Sequence, residues 1–82
     1  MQAQVDIPAL VRAIRKSRGL TQEQLARELG VTFSTVNGWE NGKHRPLPLL
    51  VRTLSEIAGK LGLEIPETRE DAEPGARTAR RS

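Results

Sequence analysis

Cysteine is absent, which excludes disulfides, thiolate zinc sites, iron–sulfur clusters and cysteine nucleophiles together. Histidine occurs once, at His44, so a multi-histidine metal centre cannot be assembled. Phe33 and Trp39 are the only aromatic residues, and a core must therefore come mainly from Leu, Val, Ile and Ala, a composition that favours helices. No run of about 18 apolar residues is present to span a membrane. The opening stretch MQAQVDIPALVRAIRK holds no signal-peptide apolar segment or cleavage site, so a soluble protein with a cytoplasmic location is the expectation. With 82 residues there is room for one small domain and little for an enclosed catalytic cleft. No nucleophile with its base, no metal cluster and no phosphate-cradling glycine loop can be built from these residues. Neither an enzyme nor a cofactor is therefore expected, and catalytic and metal sites are both read as none.

What is present is uneven in charge. The formal net charge is +3, and all of the excess lies in residues 1–45, with seven Lys/Arg against four Asp/Glu; residues 46–65 and 66–82 are each balanced. A localised basic excess fits an anionic partner such as nucleic acid.

Apolar spacing marks four helices. Ile7, Leu10, Val11 and Ile14 form one stripe, with Asp6 as N-cap and Pro8 in the first turn where a missing amide costs little, predicting a helix over 7–17 stopped by Gly19. Thr21 and Gln24 make a capping box flanked by the staple pair Leu20 and Leu25, predicting a helix over 22–29 ended by Gly30. Thr32 repeats the cap and Val31 with Val36 the staple, predicting a helix over 33–41 ended by Gly42. Only Gly30 and Val31 separate these two helices from cap to end. So short a connection forces a sharp turn, the geometry of a helix-turn-helix. Leu47, Leu50, Val51, Leu54, Ile57, Ala58 and Leu61 predict a fourth helix over 48–61, with Pro48 suited to its first position and Leu47 a poor N-cap.

The stretch LTQEQLARELGVTFSTVNGWENGK, residues 20–43, resembles the phage repressor and Cro-type, XRE-like family of helix-turn-helix regulators. The features that carry the likeness are Gln22 opening one helix, the small Ala26 where two helices cross, Gly30 at the turn, Val31, Val36 and Trp39 inside, and the closing Trp39-Glu40-Asn41-Gly42-Lys43. It implies an all-α, compact four- to five-helix bundle, a lambda-repressor-like DNA-binding domain, over residues 1–65.

A helix held by its inner face presents the other side to a major groove about 12 Å wide. The resemblance implies base-edge contacts at Phe33, Ser34, Asn37 and Gly38, where Asn37 suits adenine and Phe33 suits either a thymine methyl or packing on the turn. It implies phosphate contacts at Thr21, Gln22, Thr35, Asn41, Lys43 and Arg45, which position the protein without reading sequence. Arg15 and Glu40 resemble the partly buried pair that joins the first and third helices of the family. Trp39 reads as core, His44 as an exposed loop residue, and Arg12, Lys16 and Arg18 as a solvated face. Two departures stand out. Gly38 occupies a position where relatives usually carry a longer polar side chain, and Glu64-Ile65-Pro66-Glu67 breaks the fifth helix that usually aids dimerisation.

From Pro66 onward there is no Leu, Ile, Val or aromatic residue, so 66–82 reads as a disordered charged tail, acidic first and basic at its end. The function expected is a sequence-specific regulator, a repressor, binding double-stranded DNA as a homodimer on a palindrome. Dimerisation is placed at Leu61, Leu63 and Ile65, whose alternation also suits a short strand across a two-fold axis. The alternative is an antitoxin or adaptor module on the same scaffold, with a protein partner engaged through the tail. No membrane partner is expected.

Overall fold

The computed structural model describes residues 3–69. Along them run β1 (Ala3–Val5), α1 (Ile7–Arg18), α2 (Gln22–Leu29), α3 (Phe33–Glu40), α4 (Pro48–Lys60) and β2 (Glu67–Arg69). The largely α-helical architecture and the four helices agree with the pattern of the sequence; all four starts coincide with it and three of the four C-terminal ends differ by one residue. Among the described residues no helix is long and apolar enough to cross a membrane.

Local chemistry sets the helix ends. Asp6 accepts a hydrogen bond from the Ala9 amide at 3.2 Å and starts α1. The Thr21 hydroxyl accepts from the Gln24 amide at 3.0 Å while the Gln24 side chain accepts from the Thr21 amide at 2.9 Å, so the capping box is closed in both directions. Thr32 accepts from the Thr35 amide at 3.1 Å. Gly19 and Gly30, at φ of 67° and 75°, end α1 and α2 in the left-handed region that a side chain would strain. α4 differs, because Leu47 offers no side-chain cap and stands 72% exposed.

The core follows the predicted stripes except at Leu47, which was expected on the inner stripe of α4 but is exposed at the helix start. Ile7, Leu10, Val11 and Ile14 of α1 are buried against Leu25 and Ala26 of α2, Val36 and Trp39 of α3, and Leu54 and Ala58 of α4. Trp39 is 1% exposed, which places it in the core as expected. Leu61, Leu63 and Ile65 are half-buried against this cluster, so part of the surface assigned to dimerisation packs on the chain's own core.

One element was not foreseen. β1 and β2 form an antiparallel pair in the register Ala3 with Arg69, Gln4 with Thr68 and Val5 with Glu67. The Asp6 amide donates to the Pro66 carbonyl at 2.9 Å and extends the ladder. The boundary drawn after residue 65 is thus four residues early, and 66–69 belong to the folded unit. The expectation of disorder weighed side-chain burial alone, whereas this segment is held by main-chain hydrogen bonds after Leu63 and Ile65 dock and bring the chain back to α1. The rest of the predicted tail, 70–82, lies outside the described residues.

Candidate nucleic-acid interface

The turn between α2 and α3 is set by backbone. The Val31 amide donates to the Ala26 carbonyl at 2.9 Å, closing the end of α2 around Gly30, and Thr32 caps α3 at once. Ala26 is 3% exposed at the helix crossing, where its single methyl lets the backbones approach. α3 turns Val36, Trp39 and Glu40 inward. At 100° per residue Ser34, Gly38 and Asn41 then fall on the side away from Val36, with Asn37 beside them. Phe33 is 49% exposed at the first turn, so the structure leaves its ring open to a ligand.

A polar relay runs from this outer face into the protein. Asn41 Nδ2 donates to Asn37 Oδ1 at 2.8 Å, and Asn37 Nδ2 donates to Gln22 Oε1 at 3.0 Å. Gln22 in turn hydrogen-bonds Glu40. The residue expected to read adenine and the residue expected to clasp a phosphate are therefore joined side chain to side chain. That bond couples the first turn of α2 to the second turn of α3.

Glu40 ends the relay. Its side chain is 4% exposed, and its carboxylate accepts from Arg15 Nε at 2.5 Å and Arg15 Nη2 at 3.1 Å. Arg15 also donates to the Leu20 carbonyl at 3.0 Å, tying α1, the α1–α2 turn and α3 to one guanidinium. The predicted pair is present and bidentate. Burial acts most strongly on Glu40 and pushes its pKa up, but Arg15, Gln22 and Arg12 together outweigh it and hold the carboxyl below its usual range. The bond to Glu40 raises the pKa of Arg15 further against a smaller opposing burial effect. Arg12 is exposed, as expected of a solvated face, and also donates to the Glu40 carbonyl at 2.9 Å and stands 3.7 Å from its carboxylate. Arg18 pairs with Glu28 across exposed surface.

The other expected contact residues are distributed around this centre. Thr21 uses its hydroxyl to cap α2, and Thr35 shares a 2.9 Å bond with Thr32. Lys43 is exposed, in the loop after α3. Arg45 is exposed too, but its Nη1 donates to the Val5 carbonyl at 3.2 Å, so it braces β1 with one of its donors. Gly38 faces outward as expected yet is buried, because the His44 ring covers it. His44 was not among the predicted site residues. Its signal was a glycine in mid-helix where no turn requires one, but nothing in the spacing of the sequence showed what would fill the gap. Among the described residues there is no group of three or more His, Cys, Asp or Glu that could hold a metal ion.

Comparison with known proteins agrees with this geometry. A helix-turn-helix family model matches residues 11–67. A protein of Methanothermobacter thermautotrophicus named as an uncharacterized HTH-type transcriptional regulator is 38% identical over 55 residues, covering 67% of this chain and 80% of that protein. No solved structure matches. With a two-residue turn between capped helices, a sealed inner face and a match that runs through α2, α3 and α4, the chain belongs to the XRE-type helix-turn-helix family of DNA-binding regulators.

Proposed function

We propose that the protein is a sequence-specific regulator of transcription that inserts α3 into the major groove of double-stranded DNA and acts as a repressor by occluding a promoter. The observation that carries this reading is the outer face of α3, where Phe33 and Ser34 are exposed and the half-buried Asn37 is bonded to Gln22 at the start of α2. In this reading Phe33, Ser34 and Asn37 meet base edges, while Thr21, Gln22, Thr35, Asn41, Lys43 and Arg45 meet phosphates; Gly38, covered by the His44 ring, does not reach a base itself. Lys43 and Arg45 are exposed on the loop that follows α3, and the chain's net positive excess lies before residue 46.

One such helix reads about four to five base pairs, too few for a unique site, so a two-fold dimer on half-sites about 34 Å apart is part of the proposal. Its contact is placed at the half-buried Leu61, Leu63 and Ile65. The competing apolar surface is Leu47 and Leu49, each 72% exposed. Comparing Leu63→Lys with Leu49→Lys by sedimentation assigns the interface to whichever substitution yields a monomer.

The test of function is selection of bound sequences from a random duplex pool at about 0.15 M salt, followed by sizing of the complex. An enriched palindrome is expected, lost with Asn37→Ala or Ser34→Ala. With about six phosphate contacts, log K should fall against log salt with a slope of about −5. A flat salt response and no enrichment would overturn the reading.

A further inference from the structure

Gly38 has an ordinary helical backbone, so conformation does not demand glycine there. Space does. A Cβ on Gly38 would lie 2.1 Å from His44 Nε2 and 2.8 Å from His44 Cδ2 and Cε1. The imidazole therefore sits with its Nε2 end in the notch left by the missing side chain. The Lys43 amide donates to the Gly38 carbonyl at 2.9 Å and folds the loop back so that the next residue reaches this place. Gly38 is buried while His44 stays exposed, so the ring now forms the surface at this point. Among the described residues no hydrogen bond or ion pair engages the imidazole, and with Nε2 turned into the notch it is Nδ1, on the far side of the ring, that is left for a ligand.

The outward row of α3 thus reads Ser34, a borrowed imidazole, then Asn41. We propose that His44 is a base-contacting, specificity-determining residue, supplied from the loop to the position where α3 has no side chain of its own. Its hydrogen-bonding partner is a purine acceptor on the major-groove edge, N7 or O6, taken by the ring N–H. This rests on the DNA-reading function proposed above and adds a residue to it. The glycine and the histidine act as one unit, since a side chain at 38 expels the ring.

The experiment is the same selection carried out on wild type, His44→Ala, Gly38→Ala and the double variant. Wild type is expected to enrich a site. His44→Ala should lose preference at one or two base pairs of each half-site, by about fivefold or more, and keep the preferences that depend on Asn37. Gly38→Ala should lose the same base pairs, and in the His44→Ala background it should change nothing further. Should His44→Ala unfold, His44→Gln, which keeps bulk over Gly38 with different hydrogen-bonding geometry, supports the inference by shifting the preferred base at those pairs. Uniform weakening on all sequences, or an unchanged profile, would overturn the inference while leaving the DNA-binding function standing. Failure of wild type to enrich any site would instead remove that function and the inference with it.

Discussion

At Glu40 a carboxylate 4% exposed depends on two arginines and one amide for its charge. Because its pKa in the folded protein is below the ordinary value, its stabilisation is complete above the usual carboxylate range and is lost as pH falls through the folded value. Glu40→Gln is expected to lower stability at pH 7 and to narrow its deficit against wild type on acidification, measured by urea unfolding at pH 7 and pH 3. Glu40→Ala removes the partner of a partly buried guanidinium, and breaking such a pair costs about 3 kcal/mol or more. Gly38 gives a second prediction. Alanine is the better helix former by about 1 kcal/mol, so Gly38→Ala should stabilise the His44→Ala variant by that amount. In the wild-type background the 2.1 Å approach to the ring cancels the gain, and thermal unfolding of the four proteins separates the two effects.

Among the elements, α2 and α3 were legible because every signal at their ends is local. Thr21, Gln24, Thr32 and Gly30 act within four residues of themselves, and the observed hydrogen bonds are the ones their order implies. The Arg15–Glu40 pair came from family likeness and not from spacing, since its partners are 25 residues apart. What was hidden was of the same long-range kind. His44 over Gly38, Arg12 on Glu40, Arg45 on Val5 and β1 on β2 all join segments whose meeting depends on the finished fold. The caps also rank the helices. Removing the cap of α3 with Thr32→Ala should cost about 1 kcal/mol, whereas Leu47→Asp should add a similar amount at α4, where no side-chain cap now exists. Denaturant midpoints of the two variants should move in opposite directions.

For the molecule as a whole, the β1–β2 pair is a closure. Its partners Ala3 and Arg69 stand at opposite ends of the described chain, so forming it closes a loop of nearly the whole domain, whereas the helices need only local contacts. Removing residues 66–82 should cost about 1–2 kcal/mol, the net contribution of one or two backbone hydrogen bonds, and should speed hydrogen exchange at the Asp6 amide above all others in α1 and its cap.

Topologically the folded unit is nearly a ring, with residues 3 and 69 side by side and Arg45 braced against the same strand. A short linker joining those two positions, with the chain reopened at the Gly19 turn, should give a circular permutant that folds to the same bundle. Fluorophores at the two ends would report one location and not two. Any segment fused before residue 3 or after residue 69 would leave from a common point, at the end of the strand pair away from the Arg45 brace on Val5.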